Sequence, residues 1–293
     1  MLSQMSRKSI LSIGDAMLDI VVLHGDSINF NSDSPSQITI QSGGAAANTA
    51  AWLSKADIDS HFSGRVGDDI AGEKLISDLE NQGVTCHITK VSGANSGIVV
   101  ALVDGIGNRT MFPDSGANSG LNESVLPVER DFSGYFLSGY ALFNPASTPF
   151  IRKLMVDLRN LNAKIFFDPA SVGIMNQLGS ERALELIGHV DVIFVNEDEA
   201  SYLSLEKLKG IASIVVIKKG PLGASAITRE GLEINKPALS AKVIDTTGAG
   251  DAFAAGFIAE WLKSEDLTTA LDSALSLAAQ CVSNIGARPR VIT

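Results

Sequence analysis

Cysteine is nearly absent from these 293 residues: only Cys86 and Cys281 occur, far apart and outside any Cys-x-x-Cys pair or Cys/His cluster. A disulfide framework and a zinc site are thereby excluded, and two buried thiols in a reducing compartment are expected. Histidine is scarce too, and His24, His61, His87 and His189 show no metal-ligand spacing. Positive charge is in deficit, with 23 Lys and Arg against 33 Asp and Glu, a net charge of -10, and no block of like charge. An electrostatic grip on nucleic acid or an anionic membrane is therefore not expected. No apolar run reaches the ~18 residues of a membrane span, and the polar start Met1 to Ser9 lacks the apolar stretch of a signal peptide. The expectation is a soluble cytoplasmic protein.

What is present is apolar material, 45% of the chain, enough for a large core. Short runs rich in Ile, Val and Phe recur at Ile10 to Ile13, Tyr135 to Leu137, Lys164 to Phe167, Val190 to Val195 and Ile214 to Ile217. Segments of helical spacing lie between them, among them Ala45 to Leu53, Ala71 to Asn81, Pro149 to Leu161, Arg182 to Ile187, Ala249 to Leu262 and Leu267 to Ile285. This alternation predicts an α/β fold, a three-layer α/β/α sandwich around a mostly parallel sheet. Two stretches, about 20–41 and 97–112, break the rhythm with turn residues and β-formers, and are expected to pair as a small antiparallel β-sheet lid. No linker or repeat divides the chain, so one domain over 1–293 is expected, with the lid as an excursion from it.

The sharpest motif is Asp245-Thr246-Thr247-Gly248-Ala249-Gly250-Asp251-Ala252-Phe253, a glycine-rich turn entering an apolar helix. Glycines let a ligand approach the backbone, and a helix N-terminus favours phosphate or another oxyanion. An ordinary helix entry, with Asp251 complementing the dipole, stays open beside that reading. A P-loop is absent, and Phe253 stands where a dinucleotide fingerprint needs Gly or Ala. Ser42-Gly43-Gly44-Ala45-Ala46-Ala47-Asn48 leaves room for a ligand or for close helix packing. Ile13-Gly14-Asp15-Ala16-Met17-Leu18-Asp19 puts two carboxylates past a strand's carboxyl end, where ligands bind in open α/β sheets. Asn196-Glu197-Asp198-Glu199 does the same after Val190 to Val195, suiting either Mg²⁺ or a solvated helix start.

Taken together and in order, these segments resemble the ribokinase-like (PfkB) family of small-molecule kinases over nearly the whole chain. Gly43-Gly44 to Asn48 with Gly64-Arg65-Val66-Gly67-Asp68-Asp69 is similar to its amino-terminal signature, Asp245 to Phe253 to its carboxy-terminal one, and Asn196-x-x-Glu199 to its Asn-x-x-Glu motif. The resemblance implies a ribokinase-like fold and ATP- and Mg²⁺-dependent phosphorylation of a hydroxyl of a small sugar. It implies Asp251 as general base and Gly248, Ala249 and Gly250 as the backbone anion hole. It implies Asp19, Gly44 and Asn48 on the sugar, Asn196 and Glu199 organising Mg²⁺ through water, and Lys218, Gly220, Gly223 and Thr246 bordering ATP. Asp245, Thr247 and Gly286 match the region where some members hold K⁺, and a homodimer through the lid is a further implication. Arg109 either reaches the substrate or is a solvated strand residue, and His24 lies in the expected lid. Ala45 stands where ribokinases often carry Lys, and no clear counterpart of their ribose-gripping Glu appears around Phe143-Asn144. A nucleoside kinase of the same family, with Phe30, Phe112 or Phe143 stacking a base, is the near alternative. A catalytically silent binding protein is the alternative from another class, against which the retained Asp251 counts.

Overall fold

A computed structural model describes residues 7–25, 28–106, 108–129 and 131–290; residues 1–6 of the polar start, and Asp26, Ser27 and Gly107 of the lid segments, lie outside them. Along the chain come β1 (Ser9–Ile13), β2 (Met17–His24), β3 (Ser36–Gly43), α1 (Ala45–Lys55), β4 (Asp59–Gly67), α2 (Ile70–Asn81), β5 (Thr85–Val91), β6 (Gly97–Val103) and β7 (Arg109–Asp114). Then follow β8 (Gly134–Ser138), α3 (Gly139–Leu142), α4 (Thr148–Asn160), β9 (Ile165–Asp168), α5 (Val172–Asn176), α6 (Ser180–Ile187) and β10 (Val190–Asn196). The last part holds α7 (Glu197–Leu203), α8 (Leu205–Ile211), β11 (Ala212–Lys218), β12 (Ala224–Thr228), β13 (Glu233–Lys236), α9 (Ala249–Ser264) and α10 (Leu267–Val282).

The large sheet runs β13-β12-β11-β10-β9-β8-β1-β4-β5. Neighbours from β11 through β5 are parallel, and β12 and β13 close one edge as antiparallel strands. Strand alternation feeds two cores: Val192 and Phe194 of β10 join one with α1, α2, α9 and α10, while Ile193 and Val195 join the other with α3 to α8. That is why the strands read as continuous apolar runs rather than as alternating ones. Edge-to-face pairs Phe194–Phe257 and Phe166–Trp261, with centroids 5.5 and 5.9 Å apart, bind α9 to the sheet.

The expected lid segments form a second sheet, β3-β2-β6-β7. Its outer pairs are antiparallel, as expected, but the central pair β2–β6 is parallel, because two separate hairpins meet side by side. His61 and His87, which sequence spacing leaves unrelated, lie on neighbouring strands with Nδ1 and Nε2 3.0 Å apart. Among the described residues no group of three His, Cys, Asp or Glu could hold a metal ion, and no helix is long and apolar enough to cross a membrane. Both cysteines are free, Cys281 buried and Cys86 half-buried, and burial pushes each thiol up to about 12.

Candidate active site

The chain order changes direction between β1 and β8, the switch point beside whose carboxyl ends open α/β sheets bind ligands. Asp15 follows β1, Ser138 ends β8, Asp168 ends β9, Asn196 ends β10 and Lys218 ends β11, with Ser138 opposite Asp168 and Asn196 opposite Lys218. Asp15 is held on both sides: one carboxylate oxygen accepts from Ser138 Oγ at 3.0 Å and the other from the Ala45 N–H at 2.8 Å, tying α1 to the switch point. Gly44 caps α1 at φ 95°, and a Cβ there would stand 2.5 Å from the Asp15 carbonyl, so only glycine lets the helix start so close to β1.

From α1, Asn48 donates through Nδ2 to Asp251 Oδ2 at 2.9 Å, across 203 residues of chain. The amino-terminal and carboxy-terminal motifs thus meet in one hydrogen bond. Asp251 lies in the first turn of α9, whose N-cap Gly248 is left-handed (φ 76°) and offers no side-chain cap. Ala249 N–H leans on the Thr246 carbonyl at 3.3 Å, so the amide of Ala249 is less open to an anion than expected. Two influences on the ionisation of Asp251 oppose each other. The dipole of α9 favours the carboxylate, yet the dense surrounding protein pushes its pKa up to about 8, with Asp168 and Asp15 adding to the rise and Asn48 and Lys218 opposing it.

Lys218 stands beside Asp168 and the start of α9. Its Nζ pairs with Asp168 Oδ2 at 2.6 Å and would be 3.3 Å from a Cβ on Gly250. Burial disfavours the ammonium, but Asp168, Glu199 and Asp251 together outweigh that and raise its pKa. Gly220 and Gly223 close the β11–β12 turn at φ 53° and 99°, which accounts for both glycines structurally, and Thr246 is an exposed turn residue.

Asn196 and Glu199 form a capping box on α7: Asn196 Oδ1 accepts the Glu199 N–H at 2.8 Å, and Glu199 Oε2 accepts the Asn196 N–H at 2.9 Å. Glu199 is buried, and burial followed by the charge of Asp168 raises its pKa. Hard carboxylate oxygens here fit a Mg²⁺ that arrives with its own waters and substrate phosphates, since the described residues supply no complete cage.

Of the residues matched to K⁺, the Asp245 side chain is engaged by hydrogen-bond donors. Asp245 Oδ1 accepts the Thr247 N–H and hydroxyl at 3.0 and 2.7 Å and Arg109 Nη2 at 2.9 Å, while Oδ2 accepts the Gly286 N–H at 3.0 Å. Gly286 therefore presents a donor, and the positive charge beside Asp245 is Arg109, whose Nη1 also donates to Thr247 Oγ1 at 2.6 Å. Burial would raise the Asp245 pKa, but these bonds lower it. Arg109 is thus held although partly exposed: it latches lid strand β7 to the glycine-rich turn. His24, at the end of β2, bonds locally to the Gly25 carbonyl.

Asp19, on β2, projects from the lid against Gly43, and burial lifts its pKa to about 6 despite Arg288. Sequence reasoning missed Asp168, Ser138 and Arg288. Asp168 carries a usable signal, an acid closing the apolar run Ile165 to Phe167, as Asp15 follows Ile13. Arg288 carries none, because only the chain's return past α10 brings it under Gly43.

A parallel sheet with a switch point, a carboxylate at a glycine-rich helix start and a lid define a phosphotransferase that acts on a hydroxyl acceptor. The chain belongs to the pfkB family of carbohydrate kinases, whose family model matches residues 7–293. It is 31% identical over 252 residues to an ATP-dependent ribose-1-phosphate kinase of Halopiger xanaduensis, covering 84% of this chain and 82% of that protein. It is 30% identical over 272 residues to adenosine kinase of Saccharomyces cerevisiae, covering 83% and 78%. The crystal structure of adenosine kinase from Sinorhizobium meliloti has the same fold, with a TM-score of 0.86 at 24% identity over 98% of this chain and 97% of that one.

Proposed function

We propose that this kinase transfers the γ-phosphoryl group of ATP to a hydroxyl of a ribose-like sugar, with Asp251 as general base. The observation that carries the reading is the Asn48–Asp251 hydrogen bond, which joins the sugar-side helix to the anion-side helix at one carboxylate. Asp19, Asn48 and the Gly44 backbone orient the acceptor; Asp251 takes the hydroxyl proton as oxygen attacks in line. Negative charge gathering on the transferred group faces the start of α9, where Gly248 and Gly250 leave the backbone bare and Lys218 stands alongside. Thr246 and the β11–β12 turn with Gly220 and Gly223 border the nucleotide. Mg²⁺ would be held through water by Asn196 and Glu199, and when bound it neutralises phosphate charge.

One feature favours an acceptor with an apolar substituent, such as a nucleoside. On the lid face that carries Asp19 and Arg109, Val21, Val99, Ala101 and Met111 form an apolar strip beside Gln37, Thr39 and Gln41 of β3, a face suited to an acceptor that carries a base as well as hydroxyls. The opposite lid face is apolar as well: Ile38, Val22 and Leu102 form one cross-strand row and Ile40, Ile20, Val100 and Phe112 the next. Ile38, Ile40 and Phe112 are 61%, 56% and 55% exposed, which supports pairing of two copies through this face. An ADP-release assay with free pentoses, pentose phosphates and nucleosides tests the reading; acceptor-dependent ADP from none of them would refute it.

A further inference from the structure

We infer that Arg288 is a positioning residue for the reaction, acting on Asp251 through the side-chain amide of Asn48. It lies past α10, outside every motif discussed above, yet is 8% exposed. Its Nε donates to Asn48 Oδ1 at 3.1 Å and its Nη2 to the Gly43 carbonyl at 2.8 Å, while its Nη1 is buried with no hydrogen-bond partner.

Burying a guanidinium is costly, and here the charges of Asp78 and Asp19 offset part of that cost while Nη1 stays unmatched. The amide of Asn48 has a donor end and an acceptor end of nearly the same shape, and a flip would turn its oxygen toward Asp251. A guanidinium has only donors, so Arg288 holds the Asn48 oxygen on its own side and leaves Nδ2 to face the carboxylate. The same fork pins the Gly43 carbonyl, one residue before the helix start that forms the sugar-side wall. Asp251 is faced by Asp168 from β9, Lys218 from β11, Asp15 after β1, Asn48 from α1, Tyr140 from α3 and Cys281 from α10, and Arg288 lies behind Asn48. Among these, Arg288 is the group that fixes which end of Asn48 Asp251 meets.

The inference rests on Asp251 being the base. Arg288→Met and Arg288→Lys are compared with the native enzyme for kcat and kcat/KM against pH, with ADP binding measured by calorimetry to establish folding. Both variants should bind ADP within about twofold of native while the acid limb of kcat/KM moves upward, costing about 3- to 10-fold at pH 7. Lysine keeps the charge but cannot bond Asn48 and Gly43 as a fork, so it should not restore the native limb. Native pH profiles in a variant that binds ADP would overturn the inference, whichever of the two variants folds. Asp251→Asn separates the two failures: if it keeps native turnover, the general-base reading falls; if it is inactive while the Arg288 variants keep the native limb, only the inference does.

Discussion

At Asp251, enclosure and helix dipole pull in opposite directions, and the enclosure is stronger. A base whose pKa lies near 8 before substrate binds is mostly protonated at pH 7, so kcat/KM should climb with pH between about 6 and 8.5. A flat profile over that interval would show that Asp251 does not carry the proton. Asp251→Asn keeps size and the bond from Asn48 but cannot accept the proton, and turnover should drop by roughly 10²- to 10⁴-fold, about 3 to 5 kcal/mol of barrier. Stability should move the other way. An acid whose folded pKa is raised binds more protons folded than unfolded, so its cost is absent below about pH 4 and grows as pH rises toward 8. Asp251→Asn removes that cost, so its stability should match native near pH 4 and exceed it near pH 8.5 by roughly 1 to 3 kcal/mol once partial exposure is allowed for, read from thermal unfolding at the two pH values. A variant less stable at both pH values would mean that Asp251 mainly holds its helix. Asp251, Asn48 and Glu199 were legible because each sits in a short motif. Asp168 and Arg288 were not, since a single acid after a strand or a single Arg after a helix gains meaning only from neighbours distant in sequence.

Elements were more legible than their partners. Helix spacing located α1, α2, α4, α9 and α10 to within a few residues, because an amphipathic or apolar period and its cap are local properties. The parallel β2–β6 pair was not foreseen, because its strands are some 80 residues apart and neither one's pattern encodes the register of the other. The lid's latch follows from that pairing, which carries β7 and Arg109 over the glycine-rich turn. An ion pair this exposed is worth roughly 0 to 1 kcal/mol, so Arg109→Ala should raise the acceptor KM by up to about fivefold with little change in kcat. An unchanged KM, together with unchanged amide exchange in β6 and β7, would reduce the latch to a surface contact. On the nucleotide side, Glu199→Gln keeps the capping geometry of α7 but removes a carboxylate charge. Activity should then need more Mg²⁺ while acceptor binding stays near native, and an unchanged Mg²⁺ titration would count against the assignment.

The lid meets the body of the large sheet through polar contacts: Ser42 on Asp78, the Gly43 carbonyl on Arg288, Gln41 near Gly286, and Arg109 on Asp245 and Thr247. Acceptor bound beneath β2 and β6 should therefore slow amide exchange in both lid segments while β9 to β11 change little. The lid's outer face adds a second constraint. Seven apolar side chains on one side of a four-stranded sheet, three of them more than half exposed, form a surface that monomers in water seldom leave uncovered. The facing rows Ile38-Val22-Leu102 and Ile40-Ile20-Val100-Phe112 would bury one another if two lids packed face to face about a two-fold axis. Sedimentation at micromolar concentration should give a dimer, and Ile40→Lys, whose side chain is solvated in the isolated protomer and costs it little, should give a folded monomer. A native protein that is monomeric across the concentration range, or an Ile40→Lys dimer of unchanged affinity, would exclude this face as the interface. Because both lid faces belong to the same thin sheet, dissociation should also loosen the inner face, so the monomeric variant should show a raised acceptor KM with ATP binding intact.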